Sequence, residues 1–247
     1  MVRNFYEPEL RNGEDERMKT LGLIGGTSWV STVDYYRIIN REINNRLGGL
    51  DSAKILLYSV NQQEFRPATK PDELQQFGDY LSDIARRLEA AGAEGLILCA
   101  NTPHMAADLL QKNINIPLIH IADVTAEAVL KHKIKKVGLL GTKMTMEQTF
   151  YRGRLSKFGI TTLVPEETER EYIHRTIMAE LEKAILKDET RKKYVEIIDG
   201  LVKKGAEGII LGCTEIPLLI KQSDTAIPVF DTTEIHAMAA VEFALSN

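Results

Sequence analysis

The sequence predicts an α/β protein built from two pseudo-symmetric Rossmann-like domains with parallel sheets and an active site in the cleft between them. Three observations predict it. Short apolar runs alternate with longer amphipathic stretches, the pattern of βαβ units that pack as parallel sheets with helices on both faces. The pattern occurs twice: Thr20-Leu21-Gly22-Leu23-Ile24-Gly25-Gly26 returns as Lys136-Val137-Gly138-Leu139-Leu140-Gly141-Thr142, and Gly92-Ala93-Glu94-Gly95 returns as Gly205-Ala206-Glu207-Gly208. Ile116-Pro117-Leu118-Ile119-His120 likewise returns as Ile227-Pro228-Val229-Phe230-Asp231. Polar and reactive residues follow the apolar runs, at the strand ends where open α/β sheets place ligands. The expected division is a tail over residues 1–17, a first domain over 18–118 plus 229–247, and a second over 119–228.

The elements follow in order. The tail is polar and aperiodic and carries no chemistry. Thr20 to Ile24 is a strand, and Gly25-Gly26-Thr27-Ser28 turns it into a helix with apolar and aromatic spacing from Tyr35 to Ile43. This turn is neither a dinucleotide fingerprint nor a phosphate-binding loop with Gly-Lys-Ser/Thr, but N–H groups at such a helix start suit an anion. Ala53 to Val60 is a second strand, and Arg66 in the loop beyond it is a candidate clamp for a carboxylate. A helix over Pro71 to Ala91 closes at Gly92, and the strand Gly95 to Cys99 leads through Ala100-Asn101-Thr102 into a helix over 103–110. Ile116 to Ile121 reads as a short strand, and Asp123 as the N-cap of a helix to Lys131. In the second half, Lys136 to Thr142 and Ile160 to Val164 read as strands, with a helix ending at Phe158 between them. Two charged helices follow over 169–187 and 189–203, then the strand into Gly212, a strand over 227–231 and a helix over 233–245.

Composition narrows the function classes. Hydrophobic residues make up 44% and charged residues 27%, ordinary for a globular domain, and the net charge of −4 gives no footprint for nucleic acid or a membrane surface. The basic run Lys131 to Lys136 reads as the cationic end of a helix. No apolar run reaches the about 20 residues of a membrane span. Residues 1–17 lack the apolar core of a secretory signal, and two cysteines make no disulfide framework, so a cytoplasmic protein with reduced thiols is expected. No Cys/His spacing matches zinc, and the acidic residues form no cluster, so no metal is expected.

The most informative stretch is Ile209-Ile210-Leu211-Gly212-Cys213-Thr214-Glu215. A buried strand here delivers a thiol, a hydroxyl and a carboxylate to the cleft. Its counterpart is Leu96-Ile97-Leu98-Cys99-Ala100-Asn101-Thr102, and aligning the two Gly-Ala-Glu-Gly segments pairs Cys213 with Ala100, not with Cys99. Neighbouring residues of a strand face opposite ways, so Cys99 is expected to point away from the cleft and pack against a helix. A pseudo-symmetric cleft with an acid/base on each side suits removal of a proton from one face of a carbon and its return to the other. The helix start after Cys213 is expected to favour its thiolate.

Gly25-Gly26-Thr27-Ser28, Asn101-Thr102, His104, Gly141-Thr142 and Gly212-Cys213-Thr214-Glu215 stand in the order and strand contexts of the aspartate/glutamate racemase family, which residues 18–247 resemble. The resemblance implies racemisation of a small dicarboxylic amino acid, aspartate or glutamate, without pyridoxal phosphate or any other cofactor, in a homodimer. It places Cys213 as one acid/base. Because the family's usual cysteine before Asn-Thr is Ala100 here, Thr102 and His104 are the candidates for the other face, with Thr27, Ser28 or an ordered water as alternatives. Gly26, Thr27, Ser28, Asn101, Thr102, Thr142, Thr214 and Glu215 are the candidate substrate-binding residues. Arg170, Glu171 and His174 are candidates to touch the substrate side chain, and His120, Asp231, His132 and His236 read as structural. The scaffold also suits one-thiol decarboxylation or isomerisation of a diacid, or binding of a diacid without turnover.

Overall fold

The computed structural model describes residues 17–64 and 70–246, so all but the last residue of the tail expected over 1–17, and Arg66, lie outside the described residues. The first lobe begins with β1 (Leu21–Gly25), α1 (Trp29–Leu47), β2 (Ile55–Ser59), α2 (Pro71–Ala90) and β3 (Gly95–Leu98). A 3₁₀ turn over Thr102–Ala106 and the short α3 (Ala107–Gln111) stand where a single helix is expected, and α4 (Ile121–Lys131) follows. The second half of the chain contains β4 (Lys136–Gly141), α5 (Lys143–Glu147), α6 (Thr149–Lys157), β5 (Thr161–Leu163) and α7 (Glu167–Ala179). It continues with a 3₁₀ turn over Leu181–Lys183, α8 (Asp188–Lys203), β6 (Gly208–Gly212), α9 (Ile216–Leu219), β7 (Val229–Asp231) and α10 (Thr232–Leu245).

Both sheets are parallel, in the orders β2-β1-β3 and β5-β4-β6-β7. The repeat is therefore real in three dimensions, with β1, β2 and β3 answering to β4, β5 and β6. The fourth strand expected over 116–121 is reduced to one bridge, Leu96 to Leu118. Only Leu96 N–H to Pro117 O and Ile119 N–H to Leu96 O are made there, at 2.9 and 3.0 Å, because the chain turns into α4 at Ile121. His120, not Asp123, caps α4: its ring nitrogen accepts from Ala122 N–H at 3.1 Å, while Asp123 pairs with Arg154 at 2.7 Å.

The expected helix over 169–187 breaks after Ala179, where Glu180 leaves helical geometry (φ −122°, ψ −63°), and the left-handed Ala184 (φ 55°) ends the 3₁₀ turn that follows. That break sets Met178 and Glu182 beside the cleft. At the other end of the cleft Gly26 is left-handed (φ 86°), and a Cβ there would lie 2.1 Å from Val60 O, so glycine is required.

The two lobes exchange helices. Ile121, Ala122, Ala126 and Val129 of α4 bury against Val137, Leu139 and Ile210 of the second sheet. Ala237, Ala240, Val241 and Ala244 of α10, at one-face helical spacing, bury against Leu21, Leu23 and Ile97 of the first sheet and Tyr35 and Ile39 of α1. The domain boundary expected at 229 is corrected accordingly: residues 229–231 pair with β6 in the second sheet, and only 232–245 belong with the first lobe. Each sheet's other face is covered by its own helices, α2 and α3 in the first lobe and α7 and α8 in the second. Among the described residues no helix is long and apolar enough to cross a membrane.

Candidate active site

The ends of β1, β3, β4 and β6 converge on a cavity of about 250 Å³. The first lobe lines it with Thr27, Ser28, Gln62, Ala100, Asn101, Thr102 and Pro103, the second with Thr142, Met178, Glu182, Gly212, Cys213, Thr214 and Glu215. A larger groove of about 650 Å³ runs between α4 and α10 over β7. No thiol lines that groove, and none of its lining side chains carries a buried unpartnered polar atom, whereas the smaller cavity has three: Thr27 Oγ1, Asn101 Oδ1 and Glu215 Oε1. Unpartnered buried polar atoms are costly, about 1–3 kcal/mol each, and mark where a ligand supplies the missing bonds.

On the second-lobe side, the five buried residues of β6 end at Gly212 and present Cys213. Its S–H donates to Glu215 Oε2 at 3.0 Å, and Thr214 O–H donates to the same oxygen at 2.7 Å. Glu215 is 4% exposed and its Oε1 has no partner among the described residues. Burial first, and then the Glu215 charge, push the Cys213 thiol well above its ordinary range. This corrects the thiolate expected from a helix start. The helix after Cys213, α9, has only four residues, too little dipole to offset burial and a carboxylate in contact.

On the first-lobe side, Asn101 Nδ2 donates to Thr232 Oγ1 at 3.1 Å, and Thr232 O–H donates to Leu211 O at 2.8 Å. That chain fixes the amide orientation and leaves Asn101 Oδ1 as a buried free acceptor. Ser28 and Thr142 cap α1 and α5 by accepting from Ser31 N–H and Thr145 N–H, and Ser28 keeps its hydroxyl proton to donate. Ala100 presents only a methyl group. Cys99, fully buried, packs behind the sheet with Tyr35, Ile39, Ala237 and Ala240, as the strand alternation predicts, and burial pushes its thiol up.

Of the candidates, Cys213, Thr102, Thr27, Ser28, Asn101, Thr142, Thr214 and Glu215 share the cavity. Gly26 does not: its N–H donates to Thr32 Oγ1 at 2.8 Å, so it shapes the turn and has no donor left for an anion. His104 is also corrected. It is 2% exposed and outside the cavity lining; Nδ1–H donates to Ala100 O at 2.9 Å and Nε2 accepts from Ile121 N–H at 3.2 Å. Both nitrogens are committed, and burial with His120 and His236 alongside holds it neutral, well below the usual histidine range. Its role is to hold the Ala100 loop. Arg170 binds Glu147 and Pro165 O, Glu171 binds Lys143, and none of Arg170, Glu171 or His174 lines the cavity.

His236 bridges Tyr35 O–H and Ile119 O at 2.7 Å each, His120 and Asp231 cap helices, and His132 lies edge-on to Phe230, all structural roles. Gln62, Met178 and Glu182 were missed. Gln62 sits in the polar loop singled out for Arg66; the other two were hidden because the helix-like mix of charged and apolar residues continues across the helix break. Among the described residues no group of His, Cys, Asp or Glu could hold a metal.

A model of the Asp/Glu/Hydantoin racemase family matches residues 24–240. The chain belongs to this family. A candidate Asp/Glu racemase from Yersinia pestis is 48% identical, covers 93% of this chain and 100% of its own, and superposes with a TM-score of 0.88. An aspartate racemase homologue from Pyrococcus horikoshii OT3 is 39% identical over the same shares, with a TM-score of 0.81. Among curated relatives, the broad specificity amino-acid racemase RacX of Bacillus subtilis (strain 168) is 21% identical over 92% of this chain and 98% of its own. The Asp/Glu/hydantoin racemase fold thus carries here a thiol on one side of the cavity and a methyl group on the other.

Proposed function

We propose that this racemase-family protein is a cofactor-independent amino-acid racemase in which Cys213 is one acid/base. The observation that carries the reading is the Cys213–Glu215 pair facing Ala100, Thr102 and the unpartnered Asn101 Oδ1 across one cavity. Glu215 Oε1 and Asn101 Oδ1 are acceptors suited to an α-ammonium group. The hydroxyls of Thr27, Ser28 and Thr102 are neutral donors suited to the α-carboxylate and to the enolate charge that grows on it. Bringing the ammonium beside Cys213 offsets the charge that keeps the thiol protonated. The thiol proton passes to Glu215, the thiolate sulfur takes the Cα proton, and the carbanion is reprotonated from the Ala100 side. A threonine hydroxyl is too weak an acid to hold that role alone, so Thr102 relays a proton from solvent.

Incubation in D₂O tests this, with L-aspartate and L-glutamate, the substrates the sequence suggests, as references. Deuterium at Cα with appearance of the D-isomer is the expected result, and no exchange with any amino acid sinks it. Ala100 favours one second reading, one-faced protonation after decarboxylation of a substituted malonate, seen as CO₂ release without amino-acid exchange. Diacid binding without either turnover would mark a protein that has kept the cleft and lost the chemistry. A cytoplasmic homodimer belongs to the same proposal. Both cysteines are free, and Trp29, Val33 and Tyr36 form an exposed apolar stripe on α1 for a second copy to cover. Light scattering giving a monomer mass would remove the dimer.

A further inference from the structure

Two lining residues have no part in that chemistry. Glu182, in the 3₁₀ turn after α7, is half-buried in the cavity wall, and Gln62, from the loop after β2, lines the same cavity near enough to favour its charged carboxylate. The pair spans the cleft, one residue from each lobe. Among the described lining residues both charged side chains, Glu182 and Glu215, are acidic. Burial and then the Glu215 charge raise the Glu182 carboxyl above its ordinary range, so the two feel each other. The cavity also holds two acceptors without partners on side chains only 4% exposed, Asn101 Oδ1 and Glu215 Oε1. A ligand that satisfies these atoms must donate hydrogen bonds, and positive charge suits the one that belongs to a carboxylate. An α-ammonium supplies one such group, at Glu215 and Asn101. The second carboxylate, on the Gln62 side, is left for the side chain.

We propose that Glu182, with Gln62, is the specificity determinant of this cavity and selects an amino acid whose side chain ends in a cation, of the lysine or arginine type, over one ending in a carboxylate. The proposal rests on the racemase reading and narrows its substrate. Like charges brought together in a site shielded from water repel strongly, while an ammonium or guanidinium forms a charge-assisted bond with the carboxylate. The Gln62 amide then turns from Glu182 to the incoming group, offering its oxygen as acceptor.

The experiment compares Cα–deuterium exchange of L-lysine, L-arginine, L-glutamate and L-aspartate by wild type and Glu182→Gln, with melting temperature as the check on folding. The expected kcat/KM for lysine or arginine exceeds that for glutamate by about tenfold or more. Glu182→Gln is expected to collapse that preference, mainly through KM for the basic substrates. Faster exchange of the acidic pair by wild type overturns the proposal and returns Arg66 to the role of carboxylate clamp. An unchanged preference in Glu182→Gln overturns it as well. If no amino acid exchanges, the racemase reading fails by itself, and titration calorimetry decides the inference: lysine or arginine binding that Glu182→Gln weakens supports it, and binding of glutamate alone, or of neither class, overturns it.

Discussion

Replacing Glu215 by glutamine separates the two effects of that carboxylate on Cys213. With Oε2 3.0 Å from Sγ, the Coulomb cost of a thiolate beside a carboxylate is about 1.4 kcal/mol at water's dielectric and about 5.5 kcal/mol at an effective value of 20. Each 1.4 kcal/mol of that cost is a factor of about ten in the thiolate population. Removing the charge therefore raises the thiolate fraction at pH 8 about tenfold for each 1.4 kcal/mol relieved, while nucleophilicity falls by about threefold over the same step. Alkylation of Cys213 by iodoacetamide should therefore speed up by roughly 3-fold to 100-fold in Glu215→Gln. Amino-acid exchange should fall in the same variant, because the thiol has lost its proton acceptor and the ammonium its anchor. Peptide mapping by mass spectrometry reads Cys213 alone, and Cys99, fully buried, serves as the internal control. Slower or unchanged alkylation would show that the carboxylate does not hold the thiol protonated. Faster alkylation with undiminished exchange would remove Glu215 from the chemistry.

Other outcomes follow from the same geometry. Cys213→Ser should reduce Cα exchange by about a hundredfold or more, the worth of a positioned acid/base; deuterium incorporation at the wild-type rate would end the role of this thiol. Ala100→Cys restores a thiol to the facing loop and should raise racemisation by about tenfold or more, and polarimetry showing no gain would mean that another group already works that face. Cys99→Ala should cost about 1 kcal/mol of stability in a denaturant melt and leave exchange unchanged; lost exchange would put that thiol in the cleft.

Acid sensitivity gives a further prediction. Burial holds His120 down to about 3 and His236 to about 4, with His104 also lowered. The unfolded chain takes up these protons near pH 6.5. Their contribution to stability is thus complete above about 6.5 and falls by about 1.4 kcal/mol per pH unit per histidine as pH drops toward the folded values. His120→Asn, which keeps a capping side chain for α4, should flatten the decline of melting temperature between pH 6.5 and 5. An unchanged slope would refute the assignment.

The fold was legible because both of its signals are local. Alternation of apolar runs with amphipathic stretches marked the seven paired strands of the described residues, and the duplicated Gly-Ala-Glu-Gly segments set the register that separated Ala100 from Cys99. The errors lie where a long-range partner decides. Whether 116–121 forms a strand depends on where α4 begins, and that is set by His120 capping Ala122. The break at Glu180 leaves no mark on a helical pattern of charged and apolar residues. His104 has the residue type of an acid/base, yet the N–H of Ile121, seventeen residues on, occupies its second nitrogen. Burial likewise decides the Cys213 thiol, and sequence reports the helix start but not the carboxylate touching the sulfur.

The crossed helices have a mechanical consequence. Each sheet keeps its apolar face dry only with a helix delivered by the other half of the chain, α4 to the second sheet and α10 to the first. Neither lobe is then a unit that folds by itself, although the sequence repeats as if it were two. Denaturation should be a single cooperative event. Any opening of the cleft must bend the chain at its two crossing points, near residues 119–121 and 231–232, while both borrowed helices stay seated. His120 and Asp231, equivalent positions of the ancestral repeat, cap the helices that start at those points. The repeat therefore matches its crossing points, although its two loops across the cavity no longer match in chemistry.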